Sequence, residues 1–387
     1  MPVAHMASSV KVPLAHDRLN ITKIVSIISY QNDVSCPATQ PRATMAKRPT
    51  ISDLARISGV SVATVDRVLN NRLPVREETA RRVYETATEI GYHAAGLIKQ
   101  RMRHELPEYR LGFLLLRGND VFYGDFAAEL ELAVSQSQRF RGAATIDFAS
   151  SLVPDEIAAQ MRKLAAKSRA IAVVGPDHPT LTAAVEVLKA RGQPVFSLLS
   201  DFAAGIREGY VGLDNRKVGR TAAWMIARAA RQPGKVALFV GSHRFHGHEL
   251  REIGFRSFFR EHAPDFSVLE TLVNLEANQV THDAMIDLLA RYPDLAGCYV
   301  AGGGMEGAVS ALRAARPVHM PVVVCNEINA ESRAALADNI LTMVISTPLA
   351  ALCRELVDRM VHAIETGAAN APGQTFLPFD IYLPENI

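Results

Sequence analysis

Between positions 51 and 69 the apolar residues fall three and four apart: Ile51, Leu54, Ala55 and Ile57, then Val65, Val68 and Leu69. That spacing gives one apolar face per helix. Gly59 interrupts the pattern and suits a left-handed turn residue, with Val60 filling the angle, so two short helices are predicted. Thr50 is a fitting N-cap for the first, answered by Asp53, and Ser61 for the second. From Arg110 onward the pattern changes. Apolar runs at 111–116, 144–148, 170–174 and 195–199 read as strands, with helices at 126–134, 155–166 and 180–190 between them. The alternation restarts with strands at 210–213, 236–240, 268–272, 298–300 and 322–325. Such alternation requires parallel sheets with right-handed crossovers. Two successive sets predict two doubly wound lobes, with a ligand where the carboxyl ends of the strands face a cleft.

The N-terminal helix pair has the makings of a helix-turn-helix. Its second helix turns Val62, Ala63, Thr64 and Arg67 away from the apolar face, toward base edges and phosphates. Two amphipathic helices packed in an ordinary α domain would show the same periodicity. They would not need the turn, both caps and the outward arginine together. Arg67 and the Val62-Ala63 pair are expected to read bases, and Thr50, Ser61, Thr64 and Asn70 to position the DNA backbone.

The run Val60-Ser-Val-Ala-Thr-Val-Asp-Arg-Val-Leu-Asn70 resembles the signature of the lactose/galactose repressor (LacI-type) family. Its continuation Val75-Arg-Glu-Glu-Thr-Ala-Arg-Arg-Val-Tyr-Glu-Thr-Ala-Thr-Glu-Ile-Gly-Tyr92 resembles that family's third headpiece helix. The resemblance extends from about Pro49 to the C-terminus. It implies a small all-α helix-turn-helix headpiece followed by an α/β, two-lobed ligand domain like the type I periplasmic binding proteins. The implied divisions are a headpiece at 46–93, a hinge or linker at 94–108 and a ligand-binding and dimerisation domain at 109–387. Lobe crossings are expected near 211 and 345 and once more in the tail. Met45 suits the start of such a headpiece, so residues 1–45 are expected to be a disordered extension or a misplaced translation start.

In that family the hinge forms a helix on operator DNA and wedges apolar side chains into the minor groove. Ile98 and Arg101 occupy the wedge positions here. Ala94-Ala95 replaces the usual Pro-Asn, and Gly96 weakens the helix. Arg101 entering a narrow groove, or Leu97 and Met102 forming the wedge in another register, are the alternatives. Asp66 replaces the family's serine, and a carboxylate is repelled by phosphate. It is expected to turn to Arg67 or Arg82, or to accept from a cytosine amino group.

For the ligand domain the resemblance implies Phe122 and Tyr123 as stacking rings, unless they are simply core. It also implies Asp201 as a hydroxyl-gripping acid, Arg251 as a forked donor and Asn326-Glu327 in place of a ligand-gripping aspartate. Ala301-Gly302 stands where Asn-Asp is usual. The glycines at 302–304 offer bare N–H groups that suit a bulkier or anionic ligand. A neutral sugar or polyol is the expected effector, with a sugar acid or phosphorylated sugar as the alternative. The run His243-Arg-Phe-His-Gly-His248 has no evident carboxylate or cysteine partner. His246 is therefore expected to bond ligand at the cleft mouth, and no metal or other cofactor is expected.

Charge sharpens this picture. The net charge of +2 says little, but residues 47–110 hold twelve Lys/Arg against eight Asp/Glu, and residues 111–387 hold twenty-six against thirty. A basic head on an acidic body suits a DNA reader joined to a sensor. The four cysteines, Cys36, Cys298, Cys325 and Cys353, are scattered and fit reduced thiols in a cytoplasmic protein. No apolar run is long enough to span a membrane. An enzyme would need a nucleophile elbow, metal triad or matched carboxylates, none of which the sequence resembles. A free-standing solute-binding protein would need an export signal and no headpiece. The expected partners are double-stranded operator DNA, a small effector and a second copy of the chain.

Overall fold

The computed structural model describes residues 48–70, 75–98, 106–367 and 373–387. The headpiece contains helices α1 (Ile51–Ser58), α2 (Val62–Asn70) and α3 (Glu77–Glu89), followed by a helical turn at 95–98 at the edge of the described residues. Thr50 caps α1 in both directions. Its hydroxyl accepts from the Asp53 amide at 3.3 Å, and the Asp53 carboxylate accepts from the Thr50 amide at 3.0 Å. Such reciprocal bonds satisfy two of the orphan donors at a helix start. Gly59 closes α1 at φ 68°, a conformation that costs a residue with a Cβ. Leu54, Val65, Val83, Ala87 and Ile98 are fully buried together, so the three helices share one small core.

The body has two sheets. The first lobe contains β1 (Glu108–Leu115), α4 (Val121–Gln136), β2 (Arg141–Phe148), α5 (Pro154–Ala165), β3 (Ala170–Val173), α6 (Pro179–Ala190), β4 (Val195–Leu198) and β5 (Gly209–Leu213). The chain then enters the second lobe with α7 (Asn215–Ala229), β6 (Lys235–Val240), α8 (His246–His262), β7 (Ser267–Val268), β8 (Leu272–Val273) and α9 (Asn278–Arg291). That lobe continues through β9 (Gly297–Val300), α10 (Met305–Ala315), β10 (Val322–Asn326), α11 (Ala330–Ala337) and β11 (Met343–Ser346). Finally α12 (Leu349–Thr366) and β12 (Gly373–Leu377) return to the first lobe, and β13 (Asp380–Tyr382) ends in the second.

Strand order is β12-β5-β4-β3-β1-β2 in the first sheet and β13-β11-β10-β9-β6-β7 in the second, where β8 also pairs with β6. All pairings are parallel except β11 with β13. The central strands are buried on both faces, as parallel sheets covered by helices must be. Two details depart from the periodicity. The predicted strand at 268–272 is two short strands that pair with different parts of β6. The crossing expected near 345 follows directly on strand β11 (343–346), which the periodicity did not mark as a strand, and the tail adds a strand to each sheet.

Return of the tail to the first lobe is secured by a buried ion pair. Asp201 accepts from Arg207 Nε at 2.5 Å and Nη2 at 2.6 Å, from Ser197 Oγ at 2.7 Å and from Gln374 Nε2 at 2.8 Å. Arg207 also donates to the carbonyl of Gly373 on β12. Burial pushes the Asp201 carboxyl upward, but these donors prevail and hold it below the usual carboxylate range.

Candidate functional site

On α2 the buried residues are Val65, Val68 and Leu69, while Ser61, Val62, Ala63, Arg67 and Asn70 are exposed and Thr64 is half-buried. Ser61 accepts from the Thr64 amide at 3.1 Å, so the hydroxyl that starts the helix also fixes its first turn. Arg67 has no hydrogen bond or ion pair with the described residues, leaving its guanidinium open to solvent. Asp66 instead accepts from the Asn70 side-chain amide at 2.7 Å, one helical turn on. The expected turn toward Arg67 or Arg82 is therefore replaced by a local (i, i+4) bond.

Between the lobes, the strand ends converge as doubly wound sheets require. From the first lobe come Arg117, Asp120, Phe122 and Tyr123 beyond β1, and Ala149 to Leu152 beyond β2. The second lobe adds Gly241 and Ser242 beyond β6, Glu276 before α9, Ala301 beyond β9, Glu306 on α10 and Glu327 beyond β10. Arg251, on α8, donates from Nε to Asn215 Oδ1 at 2.8 Å and from Nη1 to the Ala301 carbonyl at 2.5 Å. Tyr299 donates to Asn326 Oδ1 at 2.7 Å. Glu327, at φ 66°, accepts from the hydroxyl and amide of Thr347 at 2.7 and 2.9 Å.

The electrostatics of this cleft are acidic. Burial raises the pKa of Asp120, backbone bonds oppose the rise, and Glu306 and Glu276 add repulsion. Burial likewise raises Glu327, against hydrogen bonds from Thr347 and the field of Arg251. His248 is held neutral, its pKa pushed by burial down to about 4 despite Glu276 beside it. Two cavities open at the mouth, of about 550 and 350 Å³, and share Arg117, Leu152 and Glu276 as walls.

The profile of the periplasmic binding protein domain matches residues 117–368, and that of the bacterial regulatory proteins of the lacI family matches residues 50–94. The chain belongs to the periplasmic-binding-protein domain family and carries a lacI-family headpiece. Among curated proteins it is 26% identical over 284 residues to the HTH-type transcriptional regulator GalS of Salmonella typhimurium, covering 72% of this chain and 80% of that one. It is 34% identical over 76 residues to the HTH-type transcriptional regulator MalR of Streptococcus pneumoniae, 19% of this chain and 22% of that one. Among solved structures it resembles GanP, a glucose-galactose binding protein from Geobacillus stearothermophilus, with TM-score 0.65 at 14% identity, covering 72% of this chain and 99% of that one.

Within this lacI-type regulator the expected ligand residues are not all brought together. Arg251, Asn326 and Glu327 cluster around the buried Tyr299. Tyr123 lies within the fields of Glu276, Asp120, Arg117 and Glu327. Phe122 stacks edge-on against Tyr123 at 5.2 Å, and both rings also pack on the first-lobe core, so each is in part the core residue expected as the alternative to a stacking ring. Asp201 is a correction. All four of its lone-pair positions are taken by protein donors, leaving none to grip a hydroxyl. His246 turns to Glu249 at 3.1 Å on the outer side of α8 rather than into the mouth. None of the seven expected ligand residues lines either mouth cavity.

The histidine run does have carboxylate partners, one each: Glu252 for His243, Glu249 for His246 and Glu276 for His248. The histidines therefore diverge, and among the described residues no three metal-type side chains converge. The glycine loop is also explained differently. A Cβ at Gly302 would lie 2.9 Å from His248 Nε2, and one at Gly303 2.8 Å from Glu276 Cβ. These glycines make room for side chains rather than baring N–H groups to an anion. At the hinge, Ile98 is fully buried in the headpiece core, not poised as a wedge, while neighbouring Leu97 is 45% exposed. Arg101, Met102 and residues 1–45 lie outside the described residues. Sequence reasoning missed Arg117, Asp120, Glu276 and Glu306. Only Asp120 gave a signal, as the cap of a helix that starts earlier than the periodicity suggested.

Proposed function

We propose that this lacI-type regulator is a cytoplasmic, homodimeric repressor whose operator affinity is set by a small neutral sugar or polyol bound between its lobes. The observation that carries the reading is the open Arg67 face of a capped recognition helix on the same chain as a polar interlobe cleft. A single small headpiece gains useful affinity by pairing on a palindromic operator, which motivates the dimer. In this reading Arg67, Val62 and Ala63 face bases. Thr50, Ser61, Thr64 and Asn70 lie along the backbone. Tyr123, Arg251, Asn326 and Glu327 face the effector.

The charge of the cleft favours the neutral ligand over an acid or phosphate. Four carboxylates (Asp120, Glu276, Glu306 and Glu327) face two guanidinium groups, and His248 contributes no charge at neutral pH. Arg117 is already paired with Glu276. Arg251 has spent two of its donors on protein oxygens. An anion would meet net repulsion in a site of low dielectric. Hydroxyl donors, by contrast, complete the free lone pairs of the carboxylates.

A thermal-shift panel of neutral sugars, polyols, sugar acids and sugar phosphates tests the effector, with a gel shift on the protein's own upstream DNA beside it. Stabilisation by a neutral compound that also changes the gel shift is the expected result. Stabilisation by phosphates or acids alone would overturn the effector class, and no retarded DNA under any condition would overturn the repressor. Arg251→Ala should weaken binding of the stabilising compound, and unchanged affinity would remove that residue from the site.

A further inference from the structure

The guanidinium of Arg117 crosses from the first lobe to the second. Its Nη2 donates to the Leu275 carbonyl at 2.7 Å and its Nη1 to the Glu276 carbonyl at 3.2 Å, while Nε lies 3.2 Å from Glu276 Oε2. The planar fork of an arginine suits this simultaneous grip on three oxygens, which a lysine would not reproduce. Three non-glycine residues of the contact, Arg117, Leu275 and Glu276, have φ of 45°, 52° and 55°. Positive φ is uncommon for such residues and persists where surrounding contacts impose it.

The receiving carboxylate is built into place. The Glu276 amide donates to Asn274 Oδ1 at 2.9 Å, and the Asn274 side chain in turn donates to Thr281 and to the carbonyl of Gly303. His248 Nε2 approaches Glu276 Oε1 at 3.5 Å, and its Nδ1 accepts from the Ser242 amide. Any Cβ at Gly241 or Gly303 would collide with the Glu276 side chain, and one at Gly302 with His248. Glycine at the ends of two different strands thus keeps one slot clear for Glu276, whose side chain is only 17% exposed. The pair stands where the two mouth cavities meet, and both are lined by its two residues.

We propose that Arg117 and Glu276 form an interlobe clamp that holds the cleft shut in the absence of effector, so that effector entry requires the clamp to open. This inference rests on the interlobe cleft as the effector's site, but not on the identity of the effector or on DNA binding. The lobes also meet where the Asp177 amide donates to the Arg244 carbonyl at 3.0 Å, where the Gly247 amide donates to Ser200 Oγ at 3.1 Å, and where Phe245 packs into the first-lobe core, but Arg117 with Glu276 is the charged contact lining both mouth cavities. Partial burial also protects it from screening by salt.

The test uses the full chain without ligand, in a Cys36→Ser background, with spin labels at Val153→Cys in the first lobe and Val280→Cys in the second. Both positions are exposed. Electron–electron distance measurement should give one short separation for the parent protein. Arg117→Ala and Glu276→Gln should each add a longer population. Arg117→Lys, which keeps the charge but loses the fork, should fall between. The charge-swapped pair Arg117→Glu/Glu276→Arg should recover part of the short population. Parent-like distributions in both single variants, with cooperative thermal unfolding retained, would overturn the clamp. So would a swap that opens the cleft as far as the two single changes combined. Operator gel shifts on the same variants keep the readings distinct, because loss of DNA binding at unchanged separation counts against the repressor and not against the clamp.

Discussion

The recognition helix and the cleft use polar side chains in opposite ways. On α2 the guanidinium of Arg67 has no partner among the described residues, and Ser61 and Asp66 bond only within a turn of the same helix. In the cleft Arg251, Asn326, Glu327, Glu276 and Arg117 are nearly all engaged with other parts of the protein. The headpiece thus presents a surface that DNA completes at little cost in broken protein contacts. An effector in the cleft must exchange its hydrogen bonds for internal ones, so only the difference appears as affinity. Exchange of that kind is also what allows a ligand to change the arrangement of the lobes, because it binds one set of internal partners at the expense of another.

The largest expected effect tests the internal pairing of the body. Arg207→Ala leaves the Asp201 carboxylate buried without its main partner and should cost about 3–5 kcal/mol in urea unfolding. A loss below about 1 kcal/mol would show the pair to be solvated in solution. Arg67→Ala, on the unpaired side of the comparison, should leave stability unchanged and cost about 1–3 kcal/mol at one base position of the operator. Competition between operator variants reads this directly, and a uniform loss across sequences would make Arg67 a phosphate contact instead.

Acid should weaken the body through His248. The folded-state pKa of His248 lies at about 4, below its unfolded value of 6.5, so between these the unfolded chain binds the extra proton. Stability of the body should therefore be full above about pH 6.5 and fall as pH drops toward 4. His248→Gln should flatten that slope in thermal melts. An equal slope in the variant would place the acid sensitivity elsewhere.

The smallest effect concerns Asp66. Replacing it with serine removes a carboxylate from the DNA-facing helix and releases Asn70. Non-specific binding should tighten by less than about 1 kcal/mol, most visibly at low salt, in a filter-binding salt titration. Weaker binding at low salt would mean that the carboxylate accepts from a base.

The caps, turn and exposed face of the helix pair were legible in the sequence alone, because they lie within twenty-one consecutive residues at helical spacing, whereas the headpiece core also takes Val83, Ala87 and Ile98 from beyond them. The strand–helix alternation likewise sufficed for two parallel sheets, since each βα unit is a local pattern. The tail strands, however, joined sheets whose partners are more than a hundred residues away at Gly209 and nearly forty away at Val344. Asp201 read as a free acid until the fold brought Arg207 and Gln374 onto it. Ile98 read as a wedge until the core of three helices enclosed it. Glu276 gave no local signal, because its place depends on glycines after β6 and β9 and on an arginine from the other lobe. Periodicity reports which face of an element is apolar. Which polar groups end up satisfied by one another depends on distances between elements, and only the tertiary structure supplies those.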